Sequence, residues 1–152
     1  MSHSFVLRGV LWLLSLLLAS FWIVMGVSKF LALAEWASTL SHYPMLPPAL
    51  QPMIGLYLPG LEILLGLILL TPWQPTAHRL ALAVLLILSL VLMWAYWGYG
   101  LTDCGCGYLR LSPPRALARN ALLMVLHGYV GWAYLRIQRR GGGSSTAPLA
   151  AS

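Results

Sequence analysis

Charge is what this chain has least of. Only 8% of its 152 residues are Asp, Glu, Lys or Arg, while 60% are hydrophobic. That balance lies far outside soluble domains, whose cores could not absorb so much apolar surface. The long apolar runs lack the apolar–polar alternation of strands, so helices are left as the way to satisfy backbone polar groups in lipid. A phosphate-cradling glycine loop, a hydrolase nucleophile elbow and a histidine metal motif are all missing, which argues against the common soluble enzyme classes. Acidic residues number three against nine Lys and Arg, a formal charge of +6. A nucleic-acid ligand would want that charge on one patch with interleaved aromatics. Here the basic residues stand at the ends of apolar runs, as headgroup anchors do.

Four apolar runs are present: Val10 to Val27, Met53 to Leu70, Leu80 to Tyr99 and Asn120 to Ile137. Each approaches the ~20 residues needed to cross ~30 Å of hydrocarbon at 1.5 Å per residue. The sequence therefore predicts an all-α polytopic membrane protein, a four-transmembrane-helix bundle. It occupies residues 1–140, with spans at about 6–28, 52–71, 80–99 and 118–137, before a disordered tail at 141–152. The first run has no convincing small-residue cleavage site and reads as a retained helix. Between the first two runs, Trp36, His42 and Tyr43 fit a short interfacial helix that ends before Pro47 and Pro48. Ser15, Ala19, Trp22 and Gly26 share one face of the first helix, and Gly55, Pro59, Glu62 and Gly66 share one on the second. Asn120, Met124 and His127 align on the fourth, with Gly128 and Gly131 nearby. Small residues on such faces let membrane helices pack closely.

An even number of spans puts both termini on one side. Cytoplasmic termini place Arg8, Arg79, Arg136, Arg139 and Arg140 inside, and Lys29, Arg110, Arg115 and Arg119 outside. This majority follows the positive-inside rule and is reinforced by the paired Arg139 and Arg140 at the last helix end. The loop after the third span then faces the outside or periplasm of a bacterial inner membrane.

That loop holds Asp103, Cys104, Gly105, Cys106 and Gly107, with the chain's two cysteines one residue apart. Gly105 can take positive φ, which makes a sharp fold sterically cheap, and Gly107 extends that freedom. A ring closed over one residue constrains almost no chain entropy, so a stabilising staple is a poor reason for it. Strained, exposed disulfides exchange readily, and the oxidising side of a membrane keeps such pairs joined. The redox-active pair Cys104 and Cys106 is the leading reading. Two others stand beside it: a soft-metal site helped by His42 or a methionine, and a pair of idle thiols. Asp103 disfavours a thiolate at Cys104, while Arg110 and Arg115 favour one.

Inside the membrane, Glu62 is costly and is a functional hypothesis by default. Pro59 deprives the Gly55 carbonyl of its helical donor. Glu62 either accepts protons for thiol chemistry or pairs with Lys29, Arg119 or His127 as packing glue. Together Lys29, Glu62, Arg119, Asn120 and His127 are the candidate intramembrane polar network. No cofactor is certain and no metal is assigned. Trp94, Tyr96, Trp97 and Tyr99 are where a quinone ring would stack, and they equally fit an interfacial aromatic belt.

Five segments carry a resemblance. They are Gly26-Val27-Ser28-Lys29-Phe30, Tyr43 with Leu46-Pro47-Pro48-Ala49-Leu50, Leu58-Pro59-Gly60-Leu61-Glu62 with Gly66, Asp103-Cys104-Gly105-Cys106-Gly107, and Arg119-Asn120. Over roughly residues 5 to 137 the chain resembles the methylamine-utilisation MauE family of DoxX-like membrane proteins. In that family an aromatic usually follows the second cysteine directly; here Gly107 comes first and Tyr108 follows. The resemblance implies an inner-membrane protein that works with a thioredoxin-like periplasmic partner. Its client would be the disulfide-rich small subunit of methylamine dehydrogenase. Unlike four-helix thiol oxidases of the DsbB type, the chain has no second cysteine pair. Its electrons would pass to a partner or a bound quinone. The rival classes are a non-redox membrane assembly factor and a small-solute transporter, the latter suggested by Pro59, Glu62 and His127.

Overall fold

The computed structural model describes residues 2–43, 45–102 and 111–142. Its regular elements are α1 (Ser2–Leu31), α2 (Leu33–Ser41), α3 (Gln51–Leu69), α4 (Gln74–Tyr99) and α5 (Pro113–Gly142), with no strand among the described residues. Helices α1, α3 and α4 are each long and apolar enough to cross a membrane, and the chain is a multi-pass membrane protein.

Two of the helices that start earlier than the hydropathy pattern suggests do so at prolines. Pro75 occupies the first turn of α4, and α5 opens on Pro113 and Pro114. A first-turn N–H has no intrahelical partner, so proline loses nothing there and its fixed φ suits the helix. The helix at residues 74–79 therefore precedes the apolar run that begins at Leu80. At its other end α5 continues to Gly142, two residues into the segment expected to be a tail. The short helix expected before Pro47 is α2.

The long helices pack as two close pairs, α1 with α3 and α4 with α5. The pairs meet through α3 against α4 and α1 against α5, and α2 lies mainly on α3. Two glycines explain how closely α1 approaches α3. A Cβ on Gly26 would stand 2.6 Å from the Pro59 carbonyl oxygen, and one on Gly66 would stand 2.8 Å from that of Ala19. Each glycine thus receives the other helix's backbone, the contact on which membrane helices rely where lipid removes the hydrophobic drive. Outward-facing side chains such as Leu13, Leu17, Leu64, Leu67, Leu86 and Ile87 are themselves apolar and exposed, as a lipid-facing surface requires.

Trp36 docks α2 on α3 by its indole N–H, which donates to the Gly55 carbonyl at 3.1 Å. That carbonyl is the one Pro59 leaves without a helical donor, so the proline creates the acceptor that holds α2.

The main core gathers Leu11, Leu18, Trp22, Leu69, Leu85 and Val130. A second, smaller core joins Leu92, Ala95, Leu101 and Ala116 to Tyr43, Met45 and Leu111. Helix α4 ends just before it at Gly100, whose φ of 67° is the left-handed value glycine tolerates. Leu101 and Leu111 both join this second core and bracket the segment carrying Asp103, Cys104, Gly105, Cys106 and Gly107. Those five residues lie outside the described residues.

Candidate functional site

Lys29 near the end of α1 and Glu62 in the middle of α3 form an ion pair through Lys29 Nζ and Glu62 Oε1. The seam at Gly26 and Gly66 brings them together, because Lys29 follows Gly26 by three positions and Glu62 precedes Gly66 by four. Both are almost fully buried, 6% and 3% exposed. Lys29 Nζ also sits 5.0 Å from the centre of the Trp36 ring, which adds a cation–π contact to the pair.

Next to this pair lies a cavity of about 760 Å³, lined by Lys29, Glu62, Arg119 and Asn120 among mostly apolar side chains such as Phe21 and Leu88. Its volume falls in the range of small-molecule sites. Arg119 donates to Asn120 Oδ1 from Nη2 at 3.0 Å and from Nε at 3.3 Å, and its guanidinium lies 5.7 Å from the Phe21 ring centre. Asn120 in turn donates from Nδ2 to Ser89 Oγ at 3.1 Å. Two buried atoms have no partner among the described residues: Glu62 Oε2, an acceptor, and Arg119 Nη1, a donor.

His127 stands apart from these groups, in a second polar chain that crosses α1, α4 and α5. Trp22 Nε1 donates to His127 Nε2 at 3.1 Å, His127 Nδ1 meets His78 Nδ1 at 2.8 Å, and His78 Nε2 meets Ser15 Oγ at 3.1 Å. The Ser15 hydroxyl donates to the Leu11 carbonyl at 3.0 Å. Indole N–H can only donate, and this fixes every proton in the chain. His127 must carry its hydrogen on Nδ1, His78 must accept at Nδ1 and donate from Nε2, and Ser15 must accept from His78. Both imidazoles are neutral in this pattern, since an added proton would set N–H against N–H. The row cannot reverse, because Trp22 cannot accept. It is a lock between helices, not a conduit.

The structure thus divides the candidate polar network. It joins Lys29 to Glu62 and Arg119 to Asn120 around one cavity, and places His127 in a separate cluster with His78. Trp94, Trp97 and Tyr99 are exposed, and neither they nor Tyr96 line the cavity. His42 is exposed and engages the Ser38 carbonyl through Nδ1 at 2.7 Å. Among the described residues, no three His, Cys, Asp or Glu side chains gather as metal ligands. Sequence reasoning missed His78, Ser89 and Ser15 as hydrogen-bonding partners. The signal for the first two was the spacing of His78, Ala81, Leu85, Ser89 and Leu92, all buried on one face of α4. An apolar run that begins at Leu80 leaves His78 outside it, and so breaks this face before its first polar member.

No curated protein and no solved structure matches the chain. The family model described as methylamine utilisation protein MauE matches residues 7–135. That stretch takes in most of α1, all of α3 and α4, the ionic cluster, the histidine chain and both cysteines, and the protein belongs to the MauE family, membrane proteins linked to methylamine utilisation.

Proposed function

We propose that the protein is a four-span inner-membrane maturation factor whose Cys104 and Cys106 exchange electrons at the periplasmic face. The observation that carries this reading is the pairing of a Cys-Gly-Cys sequence with membership of a methylamine-utilisation membrane family. Each exchange moves two electrons and two protons: one dithiol becomes a disulfide as the partner's disulfide becomes a dithiol. The partner is a periplasmic thioredoxin-like protein. The client is a disulfide-bearing protein such as the small subunit of methylamine dehydrogenase.

Helix α5 supports a fourth span. Asn120 to Leu135 carries no charge, about 24 Å of helix at 1.5 Å per residue, and flanking arginines extend such a span by reaching to the headgroups. The side-chain geometry also supports cytoplasmic termini. Of the basic residues assigned to the outer side, Lys29 is neutralised by Glu62 and Arg119 turns toward the cavity. Among the basic side chains whose exposure is described, Arg8, Arg79, Arg136 and Arg139 of the inner set are exposed against Arg115 of the outer set, which favours cytoplasmic termini.

The test is trapping. With Cys104→Ser or Cys106→Ser, the remaining thiol is expected to hold a partner in a mixed disulfide, and client maturation is expected to fail. Absence of any mixed disulfide, together with normal maturation in the double variant, would overturn the redox reading and select the assembly-factor reading.

A further inference from the structure

We propose that the cavity beside Lys29, Glu62 and Arg119 binds one lipid-soluble molecule whose head both accepts a hydrogen bond from Arg119 and donates one to Glu62. Four observations point there. The cavity is of ligand size, about 760 Å³, and mostly apolar, with its polar groups gathered from α1, α3 and α5. Among the described residues, Glu62 Oε2 and Arg119 Nη1 have no partner although both atoms are buried, and buried polar groups without partners are rare enough to require an explanation. The two have opposite hydrogen-bonding character, so a purely anionic or purely accepting head would satisfy Arg119 and leave Glu62 unmet. Lys29 and Arg119 against Glu62 leave the cavity one positive charge in excess, which favours an oxygen-rich head over an amine.

The chemistry that fits is an oxygen acceptor adjoining a hydroxyl on an apolar body. Two membrane-soluble sources carry it: a hydroquinone, with its phenolic hydroxyls, and phosphatidylglycerol, with a phosphodiester beside glycerol hydroxyls. The apolar body would lie against side chains such as Phe21, Leu88 and Leu92. Tyr43, Met45 and Leu92 belong both to the cavity wall and to the small core that holds Leu101 and Leu111. An occupant therefore touches the packing that anchors both ends of the cysteine segment. The proposal itself needs no thiol chemistry.

The experiment is native mass spectrometry of the full chain in detergent, titrated separately with decyl-ubiquinol and dioctanoyl-phosphatidylglycerol. Decyl-ubiquinone and dioctanoyl-phosphatidylcholine serve as heads without a donor. One-to-one binding of the quinol or the glycerolipid is expected, with whichever binds identifying the source. Each is expected to bind at least ten-fold more tightly than its donor-free counterpart, the scale of one hydrogen bond to a charged group. Arg119→Lys keeps the charge but removes Nη1, and Glu62→Gln removes the carboxylate; each is expected to weaken binding about ten-fold. Leu88→Trp narrows the apolar part of the cavity and is expected to weaken binding about ten-fold while the protein still unfolds cooperatively. The double variant Cys104→Ser with Cys106→Ser is expected to bind as the parent does, which separates this site from the redox reading. Failure of both ligands, equal binding of the donor-free heads, or binding unchanged in Leu88→Trp would overturn the proposal.

Discussion

The histidine chain across α1, α4 and α5 meets every donor with an acceptor, from Trp22 through His127, His78 and Ser15 to the Leu11 carbonyl. A short distance away, the ionic cluster of α1, α3 and α5 leaves Glu62 Oε2 and Arg119 Nη1 unmet and borders a cavity. Both are polar interiors in an apolar surrounding, where each unmet group is costly. A closed chain of neutral groups specifies how helices pack and has nothing left to offer a ligand. A charged cluster with open valences beside free volume has hydrogen-bonding capacity still to place. The difference separates a structural polar core from a binding site without appeal to residue type, since each contains titratable side chains.

The comparison breaks most visibly at the ion pair. Glu62→Ala leaves Lys29 buried and unpaired, and is expected to lower stability by about 3–5 kcal/mol in chemical unfolding in detergent. Replacing both partners, Lys29→Met with Glu62→Leu, is expected to restore most of that loss, because no charge then remains without a partner. A loss below ~1 kcal/mol for Glu62→Ala would mean that Lys29 reaches water and that the pair is not dehydrated.

Backbone contact at the glycine seam comes next. Gly66→Ala is expected to cost about 1–3 kcal/mol, since its Cβ would meet the Ala19 carbonyl oxygen. Gly128→Ala, with nothing within 4 Å of the added carbon, is expected to be neutral or slightly stabilising through helix propensity. Equal effects would place the close approach elsewhere.

Trp22→Phe removes the one donor that fixes the histidine protons. A cost of about 1–2 kcal/mol is expected from the unmet His127 Nε2, and nitrogen NMR is expected to show His127 and His78 changing from single tautomers to mixtures. Retention of single tautomers would show that something other than the indole orders the chain.

The smallest effect is expected at α2. Trp36→Phe keeps most of the ring but loses the hydrogen bond to the Gly55 carbonyl, about 0.5–1.5 kcal/mol, and hydrogen exchange is expected to quicken in Leu33–Ser41 more than in α3. Uniform exchange across both helices would detach α2 docking from the Pro59 acceptor.

Much of this was legible from spacing. Gly26 and Gly66 stood on the faces predicted to pack, and the Gly55 carbonyl was identified as missing its donor because Pro59 has no N–H to give. Lys29 was one of three partners considered for Glu62. Choosing among Lys29, Arg119 and His127 required knowing at what height each helix stands against its neighbours, which a periodicity does not contain. His78 was overlooked for a related reason. Hydropathy marks where an apolar run begins, whereas Pro75 started the helix earlier and carried His78 into the interior.

By itself the sequence determined that this is a helical membrane protein of the MauE type, because apolar run length, scarce charge and a Cys-Gly-Cys segment are local properties of the chain. Only the tertiary structure decided which polar residues neutralise one another and which remain open beside a cavity. Hydrogen bonds and ion pairs act over about 3 Å. Whether Trp22 reaches His127, 105 positions away, or Arg119 keeps a free arm is therefore settled only when helix rotation and height are fixed by packing.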